Sequence, residues 1–142
     1  MLGGKACESR PMLITSEQLI GTWRLMQATA TDADGNALAA PYGPRPMGRL
    51  VLEANGRMIA ALCDGRTEMP HGQERAYSSY CGQYRVENNQ LITTVDGAAI
   101  SQRVGGQEVR SLEFRGADLV LIPPRRADGS QRELYWRFDG PP

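Results

Sequence analysis

From Gly21 onward, apolar and polar residues alternate in short runs, and turn-forming residues interrupt them every ~8–12 positions, the spacing of an all-β sandwich or barrel. The runs fall at 21–31, 48–54, 57–63, 76–87, 90–95, 106–114, 119–122 and 133–138. Asp34-Gly35-Asn36 turns the first. Asn55-Gly56 reads as a type I′ hairpin turn, in which both central residues need positive φ. Asn88-Asn89, Arg115-Gly116-Ala117-Asp118, Pro123-Pro124 and Asp128-Gly129 break the later runs. Ahead of them, Thr15-Ser16-Glu17-Gln18 fits a capping box and predicts one short helical turn, stopped by Gly21. Strict alternation in the first run puts Trp23, Leu25, Gln27 and Thr29 on one face. Eight strands in simple succession leave two raw edges unless first meets last. The pattern therefore predicts an all-β fold, an eight-stranded antiparallel up-and-down β-barrel with a short N-terminal helical turn.

Composition narrows the partners. The 142 residues suit one domain, with a loosely attached N-terminus over 1–14 and the barrel over 15–142. Lys plus Arg and Asp plus Glu stand at 16 each, a poor footing for nucleic acid, which is bound through a basic face. No apolar run approaches the ~18 residues that span a bilayer, and MLGGKACESRPM lacks the apolar core of a signal peptide. Cys7, Cys63 and Cys81 cannot form an even disulfide framework and read as reduced thiols of a cytoplasmic protein. With a single histidine, and no cysteine in a C-x-x-C pair, no metal site is expected. Asp32-Ala-Asp34-Gly-Asn36 begins like a calcium loop, but Ala37 and Gly43 stand where that loop needs Gly and Glu, so it reads as a turn. A small-molecule or protein partner is the class that remains, with a small-molecule ligand expected and a homodimer open.

Several stretches carry a resemblance. LIGTWRL, DADGN, YGPRPMGRLVLEANGRMIA, YSSYCGQYRVENNQL, VRSLEFRGADLVLIPP and LYWRF, in this order and spacing, resemble the lipocalin-like domain family from about residue 19 to 138. The resemblance implies an eight-stranded barrel with an internal cavity. It also implies that Trp23 closes the barrel floor beneath a basic residue of the last strand, for which Arg137 is the candidate in a cation–π contact. Members of the family often carry a histidine on the strand that here reads Leu91-Ile92-Thr93-Thr94-Val95, so chemistry resting on that histidine is not implied.

Within such a barrel the residues suggest where chemistry lies. Tyr80, Gly82 and Tyr84 share a face. If it is inside, two phenols line a space left by the glycine; otherwise they are core aromatics tied to backbone. Arg110 alternates with Leu112 and Phe114; an inward Arg110 demands a carboxylate or an anionic ligand, an outward one sits at a rim. His71, in the polar 64–75 segment, is the one ready general acid/base at neutral pH, or a solvated loop residue. Gln27, Thr29, Thr93 and Thr94 are strand residues whose amide or hydroxyl could orient a ligand. Cys81 has no local base and reads as a passive thiol.

The expected function is a barrel that takes a small, mostly apolar molecule with one or two oxygens into its central cavity, held by Tyr80, Tyr84, Arg110, Gln27 and Thr93. The alternative is a cofactor-independent isomerase, cyclase or lyase using the same cavity, with His71, Tyr80 and Arg110 as its catalytic candidates. A third reading fills the lumen with side chains. No cofactor is implied under any of them.

Overall fold

The computed structural model describes residues 13–142. Most of the expected tail, 1–12 with Cys7, lies outside the described residues; Ile14 is held, its backbone N–H donating to Asn89 Oδ1 at 2.7 Å. A 3₁₀ turn, Ser16–Gln18, follows, and the Gln18 side chain accepts the Thr15 backbone N–H at 2.8 Å as a capping box requires.

Eight strands come next: β1 (Gly21–Thr31), β2 (Pro46–Leu52), β3 (Arg57–Asp64), β4 (Tyr77–Glu87), β5 (Gln90–Ala98), β6 (Gln107–Arg115), β7 (Asp118–Ile122) and β8 (Gln131–Phe138). Each pairs antiparallel with its neighbours, and β1 pairs with β8 to close the barrel. Alternate side chains therefore point inward. Trp23, Leu25, Leu50, Leu52, Met58, Leu91, Leu119 and Trp136 form the centre of the core.

Two irregularities re-aim side chains. A bulge between Leu25 and Gln27 on β1 shifts the register against β8, so Ala28 and Ala30 turn inward while Met26 and Gln27 are exposed. Strict alternation had placed Gln27 beside Trp23; the extra residue reverses that. On β4–β5 the register shifts between Cys81 and Gly82, with Asp96 as the extra residue. There a Cβ on Gly82 would stand 2.0 Å from the Thr94 carbonyl oxygen. Gly82 does face inward between Tyr80 and Tyr84, but the β5 backbone fills its space, so it opens no room in the lumen.

The turns differ from expectation in one respect. At Asn55-Gly56 only Gly56 has positive φ, at 90°, and its N–H donates to Glu53 O at 3.0 Å. The two consecutive left-handed residues of a type I′ turn occur instead at Asn88 and Asn89, φ 51° and 56°. Asp32 behaves as a turn residue, its Oδ1 accepting from the Asp34 and Asn36 backbone N–H groups at 2.9 and 2.8 Å.

The two ends are unlike. One carries the tight turns 53–56, 88–89 and 116–117; the other carries the long connections 32–45, 65–76, 99–106 and 123–130. The tight end is sealed. Trp23 is 3% exposed, its indole N–H donates to Leu19 O at 2.9 Å, and Phe138 meets it edge-on with ring centroids 5.4 Å apart. Gly21, at φ 150°, is required at this floor, because a Cβ would lie 2.4 Å from Phe138 Cε1. The partner expected for Trp23 was Arg137. Arg137 is one strand position off, on the outer face, where its Nε donates to Asp118 at 3.1 Å; Phe138 takes the contact.

Candidate functional site: the arginine-lined mouth of the barrel

The lumen below the long connections is packed rather than hollow. Leucines, Met58 and Trp136 fill it, and a pocket of about 40 Å³ remains between Leu50, Ala60, Leu62, Tyr80, Leu121 and Trp136. The larger space lies above, at the open end. It is a cleft of about 550 Å³, within the size range of small-molecule sites.

Each long connection or the strand beside it supplies a wall. The 32–45 connection gives Pro41 and Tyr42, and β4 gives Ser78. The 99–106 connection gives Arg103, the last residue of a second 3₁₀ turn, Ser101–Arg103. β6 gives Glu108 and Arg110. The 123–130 connection gives Pro124 and Arg126, and β8 gives Arg132 and Leu134. Tyr42, Ser78, Arg110 and Leu134 also line the inner pocket, so cleft and pocket adjoin.

Charge is concentrated here although the chain as a whole is neutral. Glu108 Oε1 accepts from Arg103 at 2.6 Å and from Arg110 at 3.1 Å. Arg103 also donates to Ser78 Oγ at 3.0 Å, and Arg110 to Val109 O at 2.9 Å. Both guanidiniums approach the Tyr80 ring, with Cζ 4.6 and 5.9 Å from its centroid. Burial pushes the Glu108 carboxyl up, but the two arginines more than offset that and hold it below its ordinary value. Burial raises the Tyr80 phenol, only partly countered by Arg110 and Arg103. Arg126 and Arg132 have no carboxylate within ion-pair distance among the described residues. Arg132 is half-buried. Desolvation, then repulsion from Arg126, lowers its pKa from the ordinary arginine value.

The sequence candidates divide between this cleft and other places. Arg110 is inward, its side chain 13% exposed, and it lines both cleft and pocket. Tyr80 is inward beneath it. Tyr84 is inward too, but towards the floor, where its hydroxyl donates to Glu53 O at 2.7 Å, so the phenol is already occupied. Thr93 is inward and 1% exposed, packed in the core away from the cleft with its Oγ1 unpartnered by any described residue; Thr94 faces out. Gln27 lies on the outer surface. His71 is exposed in the 65–76 connection and does not line the cleft. That connection is anchored by Asp64, 2% exposed, which Arg66 clasps at 2.6 Å and which the hydrogen bond from Arg66 keeps ionised.

Glu108, Arg103, Arg126 and Arg132 were not singled out in the sequence. Glu108 is two residues from Arg110, hence on the same face, and is the carboxylate an inward Arg110 demanded. Arg132 alternates with Leu134 and Trp136, the same apolar-face signal that marked Arg110. Arg103 and Arg126 sit in connections, where no periodicity reports direction.

The lipocalin-like domain profile matches residues 20–137. The chain belongs to the lipocalin-like domain family. Its barrel is of the kind that can enclose one small ligand or be filled by its own side chains. No curated protein matches the chain. A crystal structure of an uncharacterized protein from Bacteroides eggerthii is similar to this lipocalin-like chain at 12% identity, over 82% of this chain and 97% of that one, with a TM-score of 0.42. Among the described residues no helix is long and apolar enough to cross a membrane, and no group of three His, Cys, Asp or Glu is arranged to hold a metal ion.

Proposed function

We propose that this lipocalin-like barrel binds a small organic acid at its mouth, with the carboxylate against Arg132 and Arg126 and the apolar body over Tyr42, Pro124 and Leu134. One observation carries the reading: four arginines line the cleft and a single carboxylate, Glu108, answers them. A half-buried guanidinium without a counter-charge is costly, and an anionic ligand offsets that cost with charge-assisted, two-pronged hydrogen bonds. The expected apolar ligand with one or two oxygens is kept in kind, but its place moves from the central cavity to the mouth, because side chains fill the lumen.

Proton-transfer chemistry finds less support. Glu108 is held ionised and so is a weak base, Tyr80 is a weakened acid, and His71 lies off the cleft. Binding therefore accounts for the site better than isomerase, cyclase or lyase activity.

Calorimetric titration of aliphatic and aromatic carboxylates, each beside its methyl ester, tests the reading. The acids bind and the esters do not. Arg132→Gln weakens the acids by about 10–100-fold, the range of a lost charge-assisted hydrogen bond. Equal binding of acid and ester, or an unaltered Arg132→Gln protein, contradicts it.

A further inference from the structure

We propose that the ligand is a dicarboxylic acid, with one carboxylate against Arg132 and Arg126 at the mouth and the second against Arg110 at the neck of the inner pocket. The inference rests on the organic-acid reading above and narrows the ligand from one charge to two.

The register of the last three strands places the two anchors. Leu112, Leu121 and Leu134 form one inward row across β6, β7 and β8. β6 and β8 run in the same direction, so stepping two residues back along each reaches Arg110 and Arg132, both in the next inward row towards the mouth. One strand stands between them, which sets their Cα atoms about 9.5 Å apart, two strand spacings. Neither guanidinium is fully answered by protein. Arg132 makes no side-chain hydrogen bond or ion pair among the described residues. Arg110 gives one N–H to Val109 O and one to Glu108, whose same oxygen also serves Arg103. Three of its five N–H donors are left over, the Nε–H among them. The charges agree. Four guanidiniums against Glu108 leave three positive charges in the cleft; one ligand carboxylate leaves two of them, and a second leaves one. Two hydroxyls border the neck beside Arg110. The Tyr42 hydroxyl has no partner among the described residues, and Ser78 Oγ, which accepts from Arg103, keeps its own hydrogen to donate. An arginine with spare donors and two hydroxyls suits a carboxylate at the neck, where charge-assisted hydrogen bonds are the strong ones. The methylene body between the two carboxylates then lies over Leu134.

The test titrates glutarate, adipate and pimelate against their monomethyl esters at neutral pH, where every free carboxyl is ionised. Each monoester keeps the chain and one carboxylate and loses the second charge. At the chain length that spans the two arginines the diacid binds about tenfold more tightly than its monoester, the scale of one charge-assisted hydrogen bond. The Arg110 Nε–H resonance moves with that diacid and stays with the monoester. In Arg110→Gln the preference for the diacid falls below about twofold. If that variant does not fold, the Arg110 resonance of the unaltered protein decides alone. Equal affinities for diacid and monoester at every length, an unmoved Arg110 resonance, or a preference that survives Arg110→Gln each overturns the inference and leaves the organic-acid reading standing. No binding by any of the six overturns both.

Discussion

Glu108 is the residue on which the mouth is balanced. It neutralises two of the four arginines and so competes with any incoming carboxylate. Replacing it by glutamine keeps hydrogen-bonding capacity but removes the charge. Glu108→Gln is expected to bind organic acids about three- to tenfold more tightly while melting a few degrees lower, a trade of stability for binding seen where sites hold like charges together. Its pH behaviour has a definite sign. The folded carboxyl lies below its ordinary value of 4.5, so its stabilising contribution is present above that value and is lost as pH falls through the lower, folded one. The unaltered protein should therefore lose stability below about pH 4.5 more steeply than Glu108→Gln, as thermal melts at several pH values would show. Glu108 could have been found from sequence, by asking what sits two residues from Arg110. Arg132 was lost by starting the last strand at Glu133, two residues late.

At the scale of elements, strand positions were legible and side-chain direction was less so. Gly, Pro and Asn clusters mark chain reversals through local backbone preference, which a sequence displays directly. Bulges arise when two strands of a closed barrel must match in length and twist, and that is settled by the partner strand. Gln27 was misplaced for this reason, and the room expected beside Gly82 is taken by β5. The Asp96 bulge gives a further expectation. Gly82→Ala drives a methyl carbon into the Thr94 carbonyl, 2.0 Å away, with rigid backbone on both sides. It should destabilise by about 3 kcal/mol, read from urea unfolding. A loss under about 1 kcal/mol would show that the β4–β5 register yields there. The connections were the least legible of all, since Arg103 and Arg126 are placed by how loops fold over the barrel rather than by any period.

Across the whole molecule, the chain separates two tasks by its ends. The tight-turn end is closed by Trp23, Leu19 and Phe138, each satisfied by protein. The long-connection end gathers uncompensated positive charge on a chain with no net charge. Between them the lumen is packed with side chains and keeps only a pocket of about 40 Å³ beneath the mouth. Totals such as net charge cannot reveal such a gathering, because it is made by closure of the barrel. The most direct measurement is the map of amide, indole and arginine side-chain resonances as an organic acid is added to the folded protein. The account predicts shifts at 76–78, 100–110 and 123–134, strongest at Arg132, with Trp23 and Phe138 undisturbed. Shifts gathered at the floor, or none at millimolar acid, would contradict it.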